Sequence, residues 1–223
     1  MRSKQEIIQA LIEPGVIAVV RAQSQEQVLP LSRALVAGGI IAVEVTMTTP
    51  QAIEAIAETK HALGDSALVG VGTILDAATC ERTVAAGAEF VVSPITRAEI
   101  VHAAHAADRP VMLGAYTPTE AQTAFELGAD FIKLFPADGL GPAYVKALRA
   151  PLPHLKIVPT GGVDLKTAGE FIKAGCVAVG AGSSLLSAQI LRDGNWPELT
   201  RLASDFVAAV RTARKELQIV GGK

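Results

Sequence analysis

Gly128-Ala129-Asp130-Phe131-Ile132-Lys133-Leu134-Phe135-Pro136 is a short apolar run entered through a turn glycine and closed by a proline. Phe131, Ile132, Leu134 and Phe135 give it the reading of a buried β-strand. Runs of the same kind lie at 16–20, 41–46, 67–71, 88–92, 110–114, 130–135, 155–158 and 176–180. Amphipathic helical stretches separate them at about 25–37, 50–63, 77–86, 97–107, 118–127, 142–150, 165–174 and 184–192. A further helix over 3–12 precedes the first run, stopped by Pro14-Gly15, and a last one covers about 197–217, with Trp196 packing its start. Ala37-Gly38, Ala86-Gly87, Gly128-Ala129 and Ala174-Gly175 each end a helix just before a strand, where glycine suits a C-cap. Strands that are apolar on both faces and alternate with helices predict parallel pairing through helical crossovers. A doubly wound open sheet would use the same units. Eight of them in about 200 residues fit closure without a spare domain, so the expectation is an α/β fold, a (β/α)8 TIM barrel with an additional N-terminal helix, as a single domain over 1–223.

Composition narrows the function classes. Of 223 residues 50% are hydrophobic and 19% charged, which describes a folded globular chain. A net charge of -2 with scattered basic residues argues against nucleic acid or an acidic membrane as a partner. No apolar run approaches the roughly 20 residues that cross a bilayer, and the polar opening followed by Glu13-Pro14-Gly15 argues against a signal peptide. The expected location is the cytoplasm. Cys80 and Cys176 are far apart, and His61, His102, His105 and His154 lack ligand spacing. The expectation is core thiols, no metal site and no cofactor.

Lys133 stands where burial disfavours charge, which is how a protein obtains a neutral nucleophilic amine able to form a Schiff base. It could instead snorkel from the strand end or pair with a carboxylate. Glu44 is the acid within the apolar run Ile40-Ile41-Ala42-Val43-Glu44-Val45 and needs a partner or a function. Beside a lysine it could shuttle protons, directly or through water; the competing reading is a structural Glu44–Lys133 ion pair. In a barrel the site lies at the carboxyl ends of the strands. There the runs end in Arg21, Glu44-Val45-Thr46, Gly70-Val71-Gly72-Thr73, Ser93-Pro94-Ile95-Thr96, Gly114-Ala115-Tyr116-Thr117, Lys133, Pro159-Thr160-Gly161-Gly162 and Gly180-Ala181-Gly182-Ser183-Ser184. Gly161-Gly162 and Gly182-Ser183, the second expected just before a helix, offer unhindered N–H groups for a phosphate, although glycines there could merely permit tight turns. Arg21 could hold a carboxylate or phosphate, with Thr73 donating a hydroxyl to the same anion, or could be an ordinary surface arginine. Pro94 and Phe135 read as pocket walls.

Taken together, Ala37-Gly38-Gly39, Val43-Glu44-Val45-Thr46, Gly70-Val71-Gly72-Thr73-Ile74-Leu75, Ser93-Pro94, Phe131-Ile132-Lys133-Leu134-Phe135-Pro136-Ala137, Pro159-Thr160-Gly161-Gly162-Val163 and Gly182-Ser183 resemble the bacterial 2-keto-3-deoxy-6-phosphogluconate and 4-hydroxy-2-oxoglutarate aldolases over nearly the whole chain. The resemblance implies a cofactor-free class I aldolase on a (β/α)8 barrel, commonly a homotrimer, acting on a small sugar-acid phosphate. By position it makes Lys133 the Schiff-base lysine and Glu44 the general acid/base. It places Thr73 and Arg21 near the pyruvate end and Gly161, Gly162, Gly182 and Ser183 at the phosphate. Many phosphogluconate-type members have an arginine shortly after Glu-Val-Thr, where this chain reads Met47-Thr48-Thr49. The related 2-keto-3-deoxy-6-phosphogalactonate aldolases lack it too and carry an arginine where Arg21 stands, so that substrate is the alternative. Readings of another class are a phosphosugar isomerase or epimerase, or a non-catalytic sugar-phosphate-binding barrel.

Overall fold

The structure, a computed structural model, describes residues 2–221. Among these residues eight strands run parallel: β1 (Val16–Val20), β2 (Ala42–Thr46), β3 (Leu68–Gly72), β4 (Val91–Val92), β5 (Val111–Ala115), β6 (Phe131–Leu134), β7 (Ile157–Pro159) and β8 (Val179–Ala181). Their order is β7-β6-β5-β4-β3-β2-β1-β8. A parallel bridge between Thr160 and Gly180 joins the two ends of that order, so the sheet closes on itself and the expected barrel forms. Helices α2 (Val28–Ala37), α3 (Ala52–Leu63), α4 (Ala77–Ala85), α5 (Ala98–Ala106), α6 (Pro118–Glu126), α7 (Gly141–Arg149) and α8 (Ala168–Lys173) connect successive strands. β8 is followed by α9 (Ala188–Asp193) and the long α10 (Trp196–Gly221), and α1 (Lys4–Ile12) precedes the barrel.

Strand parity sorts the side chains into two cores. Val43, Val45, Ile132 and Leu134 point outward into the layer shared with the helices. Ile17, Ala42, Leu68, Phe90, Val92, Met112, Phe131, Val158 and Ala178 point inward and fill the lower barrel, where Ile7, Ile8 and Leu11 of α1 pack against them. The N-terminal helix is therefore a plug under the barrel floor, leaving the carboxyl ends of the strands open above. A Ser3–Glu6 capping box starts it.

The boundaries depart from expectation in several places. Gly38 caps the C-terminus of α2 as expected, with a right-handed backbone at φ -84°, and the left-handed residue there is the next one, Gly39 at φ 92°; Gly87, Gly128 and Gly175 take φ 111°, 99° and 100°. The run 88–92 yields only a two-residue β4. The helix expected over 184–192 starts at Ala188, because Ser187 caps it by accepting from the Ile190 N–H at 3.2 Å. Cys80 and Cys176 are free and buried, in line with core thiols.

Candidate active site

Parity brings the two unusual charges inside. Glu44 sits two residues above inward Ala42 on β2, and Lys133 two above inward Phe131 on β6. They face one another across the barrel with Lys133 Nζ 3.6 Å from Glu44 Oε1, at 5% and 2% exposure. That burial is not the geometry of a snorkelling lysine. Glu44 Oε1 is buried without a hydrogen-bond partner among the described residues. Burial holds the Glu44 carboxyl above its ordinary range, against the pull of the Lys133 charge. The Phe135 ring centroid lies 5.1 Å from Nζ.

Glycines make the room. Gly70 and Gly72 are inward positions of β3, Gly114 of β5 and Gly180 of β8. The space a side chain would need at these points is taken by the Phe90 ring, the Glu44 carboxylate, the Pro94 carbonyl and Thr160 Oγ1 respectively. Gly70 and Gly72 thus lie within the strand as space for other groups, rather than only at its end.

The mouth residues divide into four groups. Arg21 is exposed just beyond β1, and its Nε donates to Thr48 Oγ1 at 3.2 Å. Thr48 lies 2.8 Å from Thr46 Oγ1, which donates to the Val20 carbonyl at 3.1 Å. Thr73 takes φ 64°, a left-handed backbone that a β-branched residue adopts only under constraint. The constraint is visible on both sides: the Met47 N–H donates to Gly72 O at 2.9 Å and the Ile74 N–H to Val92 O at 3.2 Å. Pro94 and Phe135 wall a cleft of about 400 Å³ with Ile95, Gly114 and Tyr116; neither Lys133 nor Glu44 lines it.

Gly161 and Gly162 follow Thr160 at φ 90° and 69°, and the Thr160–Gly180 bridge sets that loop beside the one carrying Gly182 and Ser183. The second loop is not a helix start as expected. It is a turn in which the Leu185 and Leu186 N–H groups donate to Gly182 O at 3.0 and 2.8 Å, with α9 beginning later.

The family model described as KDPG and KHG aldolase matches residues 7–202. The chain belongs to this aldolase family. It is 36% identical to the 2-dehydro-3-deoxy-phosphogluconate aldolase of Treponema pallidum, over 96% of this chain and 98% of the relative. It is 35% identical to the 2-dehydro-3-deoxy-6-phosphogalactonate aldolase of Escherichia coli, over 88% and 95%. The solved KDPG aldolase of Legionella pneumophila, with pyruvate captured at low pH as a covalent carbinolamine intermediate, matches with a TM-score of 0.82 at 32% identity, covering 88% of this chain and 96% of that one.

For an aldolase of this family the sequence reading missed the threonine chain behind Arg21 and the inward glycines. The threonines carried a weak signal, three hydroxyls within the four residues Thr46-Met47-Thr48-Thr49. The glycines carried none, since which side chain fills the space over a glycine depends on strand register.

Proposed function

We propose that this aldolase is a class I enzyme that cleaves 2-keto-3-deoxy-6-phosphogluconate to pyruvate and D-glyceraldehyde 3-phosphate, and 4-hydroxy-2-oxoglutarate to pyruvate and glyoxylate. The observation that carries the reading is the buried Lys133–Glu44 pair, 3.6 Å apart inside a barrel mouth. A nucleophile and a proton carrier at that spacing can address neighbouring atoms of one small substrate. Lys133 condenses with the C2 ketone, losing water to form a protonated imine. Glu44, through a water, removes the C4 hydroxyl proton. The C3–C4 bond breaks, its electron pair passing through the enamine to the imine nitrogen while C4 becomes the aldehyde. Glu44 returns that proton, through the same water, to C3 of the enamine, and hydrolysis of the imine releases pyruvate and free Lys133. Arg21 and Thr73 hold the substrate carboxylate. The N–H groups of Gly161, Gly162, Gly182 and Ser183 hold the phosphate, and Pro94 and Phe135 wall the substrate.

A second substrate reading, the phosphogalactonate, is favoured by Arg21, which Thr48 steadies at 3.2 Å. The two sugars differ only at C4, and side-by-side kcat/KM values decide between them. The reaction class is tested by incubating the protein with pyruvate and borohydride. A reduced pyruvate adduct on the peptide holding Lys133 is expected, and Lys133→Ala should lose both adduct and cleavage, the latter by about 10³-fold or more. Normal cleavage by Lys133→Ala sinks the reading and leaves isomerisation of phosphosugars to be tested.

A cytoplasmic homotrimer is part of the same proposal. Among the described residues no helix is long and apolar enough to cross a membrane. Exposed Ile95, Tyr116 and Phe125 give apolar surface for a partner copy to cover. Light scattering at three times the 23.1 kDa chain mass is the expected result, and a monomer rejects it.

A further inference from the structure

Gly72 lies on β3 opposite Thr46 of β2, with Gly70 opposite Glu44. The Glu44 side chain therefore leans one pair toward the open end of the barrel and crosses the Gly72 Cα. A Cβ at residue 72 would lie 2.7 Å from Glu44 Cδ and 2.8 Å from Cγ, and closer still to Oε1. Three side-chain atoms would be displaced, not only the tip. Gly72 is not among the left-handed glycines of this chain, so its backbone would accept alanine. What the position needs is the absence of a side chain. Nor can the strand withdraw, because Gly72 O is held by the Met47 N–H at 2.9 Å and the strand is buried.

We infer that Gly72 is a positioning residue for Glu44: the missing side chain lets the carboxylate lie flat against the β3 backbone with Oε1 3.6 Å from Lys133 Nζ. That placement keeps the carboxylate beside the amine that forms the imine, within reach of protons at the carbon next to it. The inference rests on the proposed roles of these two residues. A methyl at 72 drives the carboxylate either toward Lys133 or up into the mouth. Both moves favour its ionised form, the first by a nearer positive charge and the second by water.

The test separates imine formation from proton transfer. Pyruvate is the probe, read by borohydride trapping at Lys133 and by NMR exchange of its methyl protons for deuterium, in which a base removes a C3 proton from the imine and solvent returns a deuteron to the enamine. Gly72→Ala should trap pyruvate to within a few-fold of the unaltered protein, exchange at least 10-fold more slowly, and show the acid limb of its exchange profile moved to lower pH. Exchange and pH profile like those of the unaltered protein, or a lower Tm with the profile in place, overturn the inference. Should Gly72→Ala not fold, the Glu44→Ala, Gly72→Ala double variant, which lacks all three displaced atoms, should; continued misfolding overturns the inference as well. Glu44→Gln should trap but not exchange. If it exchanges normally, the role of Glu44 falls and takes the inference with it, whereas an inactive Glu44→Gln beside a normal Gly72→Ala defeats the inference alone.

Discussion

Burial raises the Glu44 carboxyl from the ordinary carboxylate range while Lys133 pulls it back. A base acts only when ionised, so activity is lost as pH falls through the raised value and is present above it. The prediction is an acid limb in kcat/KM lying above the roughly 4.3 of a free glutamate, absent from Glu44→Gln, whose remaining rate should be about 10²- to 10⁴-fold lower. A limb at the free-glutamate position counts against Glu44 as the base. Glu44 and Lys133 were legible in the sequence because each is a charge in an apolar strand, and burying charge without a use is costly. Gly72 was not legible as a partner of Glu44. Nothing local links residues 44 and 72; only the β2–β3 register does.

The N-terminal helix shows what an element contributes beyond its own formation. Ile7, Ile8 and Leu11 seal the barrel floor, and two ties hold α1 there. Lys4 pairs with Asp130 at 2.9 Å. Arg214 of α10 donates to the carbonyls of Ile12 and Val177 at 2.6 and 2.7 Å, and also to that of Glu13. Arg214→Met should therefore lower stability by about 2–4 kcal/mol in equilibrium urea denaturation, since charge-assisted hydrogen bonds to otherwise unpaired carbonyls are lost. It should leave kcat/KM within about twofold, because the tie lies at the opposite end of the barrel from the site. A loss below 0.5 kcal/mol would show that the tie is replaced by water. The amphipathic pattern of 3–12 announced a helix, but not that it plugs the floor. At the other end, the late start of α9 was in principle readable from Ser187, an N-cap three residues before Ile190.

Closure is a property of the whole chain. The seam between β7 and β8 rests on the Thr160–Gly180 bridge and on the Val177 N–H donating to Ile157 O at 3.1 Å. A side chain at 180 would meet Thr160 Oγ1 and come within 3.1 Å of its Cγ2. Gly180→Ala is expected to cost about 1–3 kcal/mol by overpacking, measured by denaturant melts. Thr160→Ala in the same background should recover part of that loss. Full additivity of the two changes would mean that the contact is not what limits the seam.

The repeating strand–helix unit and its count are written in the order of the residues, because alternation of apolar runs with amphipathic stretches and glycine exits is a local property of the chain. The residue order also singled out Lys133 and Glu44, because an isolated charge in an apolar strand is visible without a partner. That these two face each other, that Thr48 stands behind Arg21, and that inward glycines are space for other residues' side chains emerged with the folded barrel. Those facts depend on strand parity, register and closure, which are set by pairing between residues far apart in the chain.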